Sequence, residues 1–513
     1  MVKIVRGIIS STGGFRCHLA LVLVASAAAA FAQDLASFEK NLTEHKLKNG
    51  LTFLIYERPE APVVSFYTHV DVGAAQEVPG ITGLAHMFEH MAFKGTSKIG
   101  TTNYAAEKAA LDKVDSAYQA LYQERFRVGK PDAEKVKALE KAWKDAQEEA
   151  DKYIVKNEFD EIISREGAVG LNAGTSSDYT VYFFSLPANK LELWAYMESE
   201  RFRDPVFREF YKERDVVMEE RRLRTESQPT GRLIEQFAAT AFTAHPYQQP
   251  VIGYMSDLTA FSREDAQRFY QTYYVPGNMV IAIVGDVKAD KIIPVLEKYF
   301  GRLPAGPPPP AVRTVEPKQA AEREVRMYDK SQPFYLEGYH KPAATDPDEA
   351  VYSAISDLLS DGRTARLYRS LVRDKKIAAQ AGAFPGFPGT KYPNTMLFYG
   401  VPTPGHSNEE VQTALREEIE RLKNEPVPDD ELKMVKTRAK ASLIRGLSSN
   451  SGIAGQLTSY QVLYGDWREL FRSVDRIEKV TREDIQRVAK STFVSNNRTV
   501  AMIINDSSSA RNN

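Results

Sequence analysis

The spacing of apolar positions along the chain divides it into two kinds of segment. Short apolar runs at 51–57, 63–70, 180–186, 280–284 and 499–503 read as strands. Asn49-Gly50, beside the first two runs, is a hairpin signal and predicts that 51–57 and 63–70 pair. Between Tyr104 and Phe159 the period changes. Leu111, Val114, Tyr118 and Leu121 follow a 3-4-3 spacing, as do Val136, Leu139, Trp143, Ala146, Ala150 and Tyr153. Val128-Gly129-Lys130-Pro131-Asp132 breaks the two series. The pattern predicts an antiparallel helical hairpin over 104–160, each helix burying one stripe.

The pattern also repeats. Ser262-Arg263-Glu264-Asp265-Ala266-Gln267-Arg268 matches Thr481-Arg482-Glu483-Asp484-Ile485-Gln486-Arg487 at an offset of 219. The same offset carries through Val275/Val494 and Asn278/Asn497 into the runs 280–284 and 499–503. Each copy reads as an N-cap, a helix, a turn and a buried strand. A constant register over such a length points to duplication. Between the copies lies a proline-rich stretch, 304–317, which reads as an extended, semi-rigid linker. The expected organisation is a first domain over 33–303, with the hairpin as an insertion, a second over 318–506, and a disordered tail at 507–513.

Residues 1–32 stand apart. Lys3, Arg6 and Arg16 precede an apolar run that ends Ala30-Phe31-Ala32, the pattern of a cleaved export signal. The product is then expected to be periplasmic or secreted. Cleavage removes Cys17, the chain's single cysteine, and takes the net charge from −1 to −4. So mild a charge argues against a nucleic-acid partner. No other run approaches membrane-spanning length, so no membrane association is expected after cleavage.

The candidate chemistry sits at His86-Met87-Phe88-Glu89-His90. On a helix, positions i and i+4 share a face, so His86 and His90 can offer two imidazoles to one Zn²⁺. Glu89 lies beside them and can hold a water and take its proton. A catalytic zinc site needs a third protein ligand. The remaining histidines form no second cluster, so a carboxylate is expected. Glu213 and Glu220 are seven apart, two turns of one charged helix. On spacing alone Glu219 competes with Glu220.

These motifs resemble the pitrilysin–insulinase family of zinc peptidases, the inverzincins, and most of all its half-length members, such as the mitochondrial processing peptidase subunits and bacterial homologues. The resemblance implies an α+β fold: two tandem homologous domains, each a sheet with helices packed on one face. It implies that Glu220 completes the zinc site and that Glu213 orients a ligand. It further implies that Asn172, Ala173, Gly174 and Thr175 belong to an edge strand that pairs with extended peptide substrate. The chain departs from the family in length: Glu220 lies 130 positions after His90, far more than usual. The site survives if the insertion leaves and rejoins the domain at nearby points, as a hairpin does.

In the second half, Asp361 to Arg373 resembles the family segment that ends in an Arg, followed seven positions on by a Tyr. Both family residues contact substrate or the developing oxyanion. Arg373 is present here, and position 380 is Gln. The resemblance therefore implies a dimer, either of two identical copies or with a zinc-less homologue that carries the Arg–Tyr pair and closes over the site. The expected function is a zinc-dependent endopeptidase acting on peptides or small unfolded proteins, with Glu89 as general base. The rival is a non-catalytic core or peptide-binding subunit of the same fold.

Overall fold

The structure, a computed structural model, describes residues 36 and 38–505. The expected export signal and the expected tail lie outside the described residues. The first half contains strands β1 (Leu42–Lys46), β2 (Thr52–Glu57), β3 (Val63–Val70), β4 (Val169–Thr175), β5 (Thr180–Pro187) and β6 (Met279–Gly285). They form one sheet in the order β1-β2-β6-β3-β5-β4. The second half contains β7 (Arg323–Asp329), β8 (Phe334–Lys341), β9 (Ala378–Phe387), β10 (Asn394–Pro402) and β11 (Arg498–Asn505), ordered β7-β11-β8-β10-β9. This is the α+β class, with two sheets of related topology. In each, the strand that follows the repeated helix pairs in parallel with one neighbour and antiparallel with the other.

The expected hairpin between 51–57 and 63–70 does not form. β2 pairs with β1 and β6, and β3 pairs with β5 and β6. Asn49-Gly50 instead closes the turn between β1 and β2, with Gly50 at φ +99°. The turn signal was real, but its first strand lies before it, in the polar run Leu42–Lys46, where alternation is too weak to read.

The repeated helices start alike. Ser262 caps Arg263–Tyr273 with Asp265 in a reciprocal capping box, and Thr481 caps Arg482–Thr492 with Asp484 in the same way. A short 3-10 turn then leads into β6 or β11.

Most of each half's own helices pack on one face of its sheet. The other face is covered by a helix from the other half. Ile453, Ala454 and Leu457 of Asn450–Tyr464 pack on Leu54, Ala282 and Val284 of the first sheet. Leu233, Phe237 and Ala241 of Pro229–Ala241 pack on Leu336, Leu397, Ala501 and Ile503 of the second. The halves thus share two apolar cores. The proline-rich segment is pinned as well: the Glu316 carboxylate accepts the N–H groups of Thr243, Ala244 and His245 at 2.9–3.0 Å.

The helices Tyr104–Arg125 and Ala133–Asp151 form the hairpin, with Leu111, Val114, Tyr118 and Leu121 buried. Its two ends meet at a bridge between Thr101 and Ile154, and the Val155 N–H donates to the Gly100 carbonyl. The insertion therefore leaves and rejoins at one place.

Candidate metal centre

The motif helix, Leu84–Met91, buries Leu84, Ala85, Met87, Phe88 and Met91 against the first sheet. That leaves His86, Glu89 and His90 toward a cleft. The helix begins at Gly83, with φ +94°; a Cβ there would lie 2.7 Å from the Ile252 carbonyl. Its first N–H groups have no partners within the helix. Glu77 supplies them: its carboxylate accepts from Gly83 and Ala85, both at 2.7 Å. Burial pushes the Glu77 carboxyl up to about 8, against the pull of those two donors. Asp257 takes the Thr82 hydroxyl at 2.7 Å beside it.

The second helix, Phe210–Arg221, buries Phe210, Tyr211, Arg214, Val217 and Arg221. Glu213 and Glu220 face the motif helix. The Oε2 atom of Glu220 lies 3.7 Å from Nε2 of His86 and 3.7 Å from Nε2 of His90. Its Oε1 pairs with Arg224 at 2.5 Å. Glu219 turns outward, 57% exposed, and pairs with Arg222. The ambiguity between Glu219 and Glu220 ends there, because Glu220 alone of the two turns its carboxylate toward the imidazoles.

Glu213 accepts from His90 Nδ1 at 2.9 Å and pairs with Lys94 at 2.6 Å. Burial raises its pKa, but the bonds to His90 and Lys94 prevail and hold it down to about 2. His90 is pulled down by burial and raised on balance by Glu213 and the other carboxylates. His86, 9% exposed, is pushed down to about 3, mainly by burial and then by His90. Glu89 is raised by burial, with its Thr175 hydrogen bond opposing.

β4 is the edge strand of the sheet, and Leu171 to Thr175 form one wall of the cleft, which encloses about 820 Å³. The Thr175 hydroxyl donates to Glu89 at 2.6 Å. Asn172, Ala173, Gly174 and Thr175 thus share the cleft with His86, Glu89, His90, Glu213 and Glu220. Arg373 does not line it. Arg373 sits in the Tyr368–Asp374 turn, 55% exposed, paired with Asp374 at 2.6 Å. Gln380 is exposed on β9. Within one chain neither residue reaches the motif helix.

Sequence reading missed Glu77, Lys94 and Arg224. Lys94 and Arg224 each follow a site residue by four positions, His90 and Glu220. That spacing was readable, though it is common on any charged helix. Glu77 had no such signal.

Two imidazole nitrogens and one carboxylate oxygen fit a zinc ion. His86, His90 and Glu220 are the single such group among the described residues, their donor atoms all within 4.8 Å of one another. A tetrahedral ion with bonds of 2.0–2.1 Å spaces its ligands about 3.4 Å apart. The two Glu220 separations of 3.7 Å exceed this by a few tenths of an ångström, and the three donors, spread within 4.8 Å, draw together to hold the ion. Glu213 on the far nitrogen of His90 fixes the ring so that Nε2 faces Glu220.

A His-x-x-Glu-His helix, a carboxylate helix and an edge strand on a duplicated α+β scaffold define an inverted zinc-peptidase architecture. The family model "Insulinase (Peptidase family M16)" matches residues 52–140 and 148–254, and "Peptidase M16 inactive domain" matches 260–439. Together they cover well over half of the chain, which belongs to peptidase family M16, the insulinase family. The Zinc protease PqqE of Helicobacter pylori is 29% identical over 92% of this chain and 94% of its own length. The probable mitochondrial-processing peptidase subunit beta of Arabidopsis thaliana is 24% identical over 86% of this chain and 74% of its own. The crystal structure of a protease from Helicobacter pylori superposes with a TM-score of 0.75 at 27% identity, covering 90% of this chain and 99% of that one.

Proposed function

We propose that this chain is a zinc-dependent endopeptidase that hydrolyses peptides or small unfolded proteins. The observation that carries the reading is the Thr175–Glu89 hydrogen bond, 2.6 Å. It joins the peptide-binding edge to the catalytic carboxylate in the cleft that holds the three donors. His86, His90 and Glu220 would hold the zinc, whose chemistry is to polarise the scissile carbonyl and acidify water beside it. The free edge of β4 holds the peptide extended, through backbone hydrogen bonds with little sequence preference. Glu89 takes the proton of the attacking water and passes it to the leaving amine. Burial favours that role by making the carboxylate a stronger base. Thr175 occupies one of its oxygens and fixes the other's direction. The zinc-protease names of the relatives support the reading.

The test is elemental analysis together with turnover of an unstructured peptide. About one zinc per chain with hydrolysis supports the proposal; zinc-free protein, or zinc-loaded protein that binds peptide without cleaving it even when mixed with a zinc-less homologue, sinks it. A second reading, a non-catalytic core or peptide-binding subunit, is favoured by the position of Arg373 away from the cleft. We reconcile the two by proposing that the chain works as a dimer, or with a zinc-less homologue whose own Arg and Tyr close over the cleft. Mixing with such a homologue then raises turnover. Export follows from residues 1–32, and N-terminal sequencing of secreted protein checks for a start after Ala32.

A further inference from the structure

The helical hairpin takes no part in the proposed chemistry, yet its polar ties run to the metal centre's supports. Glu107 pairs with Arg208 at 2.7 Å, both fully buried. Asp115 pairs with Arg263, and the Tyr118 hydroxyl accepts from Arg214 at 2.9 Å. Asp151 pairs with Lys212. Three of these four partners, Arg208, Lys212 and Arg214, lead into or open the Phe210–Arg221 helix that carries Glu213 and Glu220. The Arg214 guanidinium sits among the rings of Tyr118, Trp143 and Tyr211, at 5.3, 5.8 and 5.0 Å. Tyr118 and Trp143 come from the two helices of the hairpin.

Arg208 also reaches the other way. Its Nη1 donates to the carbonyls of Lys94 and Ile99 at 2.6 and 2.8 Å, and Nη2 to that of Thr96 at 2.7 Å. These carbonyls belong to the loop that follows the motif helix. Gly95 and Gly100, both at φ +89°, let that loop close on the guanidinium; a Cβ on either would lie within 2.8 Å of Nη1. A planar fork whose donors are all taken by fixed, buried acceptors tolerates little displacement.

We propose that the hairpin 104–151 is a positioning element of the metal centre. Through Glu107–Arg208 and Tyr118–Arg214 it sets the separation between the helix that presents the two imidazoles and the helix that presents Glu220. Glu107 and Tyr118 are positioning residues that act through those arginines. The inference rests on the reading of His86, His90 and Glu220 as a zinc site. It matters because ligand placement must hold to about 0.5 Å.

The test compares the mature protein with Glu107→Gln, Tyr118→Phe and, as a control on the exposed face of the hairpin, Lys141→Ala. Zinc affinity is read by chelator competition, and ligand geometry by the visible absorption of the cobalt-loaded protein, where circular dichroism shows each variant folded. Loss of a group bonded directly to a ligand weakens metal binding by about 10–100-fold, and loss of a group one step further out is expected toward the lower end of that range. Glu107→Gln is expected at that level with an altered cobalt spectrum, Tyr118→Phe at its lower edge, and Lys141→Ala unchanged in both. If Glu107→Gln does not fold, Tyr118→Phe decides. Wild-type affinity and spectrum in Tyr118→Phe overturn the proposal, even where its thermal stability drops. Wild-type protein that binds no zinc overturns the metal-site reading itself, which is a distinct result.

Discussion

The two halves differ less in fold than in what one helix offers. Thr68 opposes Ile281 in the first sheet, and Glu337 opposes Val500 in the second, the same register position at the repeat offset. Each is part of a buried ionic cluster. Thr68 donates to Glu198, which pairs with Arg201. Glu337 is held by Tyr335, Tyr339 and Arg416. A buried carboxylate at this place is therefore common to both cores and carries no chemistry by itself. After β3 comes the motif helix with its two imidazoles. After β8 comes Glu349–Ser360, which buries Ala350, Val351, Ala354, Ile355, Leu358 and Leu359 and offers no donor pair. The same scaffold is a site in one copy and packing in the other, so function here is read from side chains on two helices and not from the fold.

The largest expected effect breaks that comparison outright. Glu89→Gln leaves the three donors in place but removes the proposed base, so the first half keeps its metal site and loses its proposed chemistry. General-base removal costs about 10²–10⁴-fold in rate. Turnover should fall by that factor while zinc content by elemental analysis stays near that of the wild type. Loss of zinc in this variant would mean that Glu89 helps hold the metal. Glu213→Gln should act the other way, on the metal. It leaves His90 without its charged partner and frees Lys94, and it should weaken zinc binding by about 10–100-fold by chelator competition.

How much of this the sequence carried depended on whether the signal was local. His86, Glu89 and His90 were legible because an i, i+4 pair with an adjacent carboxylate is a complete local pattern. Glu220 needed the family resemblance, since a run of charged helical residues gives no direction to any one of them. The hairpin was legible in its 3-4-3 stripe. The helices Pro229–Ala241 and Asn450–Tyr464 were not read as crossing between halves. Their apolar residues show that they are buried, but not against which sheet. Glu77 caps a helix through its side chain from outside the helix, which no spacing rule finds.

A smaller effect sharpens the comparison within the sheets. His69 occupies the position that Gly338 has in the second half. It is 2% exposed with neither ring nitrogen hydrogen-bonded among the described residues. Its ring packs on Tyr179, and the Lys391 charge is nearby. Burial, then Lys391, pushes it down to about 3. The folded chain thus keeps His69 neutral at pH values where the unfolded chain protonates it. Its contribution is full above about 6.5 and falls as pH drops toward 3. Between pH 7 and 5 that amounts to about 2 kcal/mol. Urea unfolding of chelator-treated protein at the two pH values should show His69→Leu losing less stability than the wild type by about that amount. His86 titrates in the same direction in both proteins and cancels.

The smallest expected effect is Arg373→Ala in the lone chain. If the second half served the first within one molecule, its arginine would lie in the cleft. Arg373 is instead exposed and bound to its neighbour Asp374. An exposed pair of this kind is screened by solvent and contributes little, and its loss does not reach the motif helix. Zinc content and turnover of the dilute variant should therefore stay within about twofold of the wild type. Under the proposed dimer the situation changes, because the arginine facing Glu89 would then belong to the other chain. Arg373→Ala should in that case lower turnover only at concentrations where the chain self-associates, by about 10²–10³-fold if it is an oxyanion donor. Turnover measured against protein concentration, alongside sedimentation, separates the two regimes. A full loss in monomeric protein would show that the second half reaches the first within one molecule. The two halves would then be a single active site, and the contrast between them would be one of position and not of role.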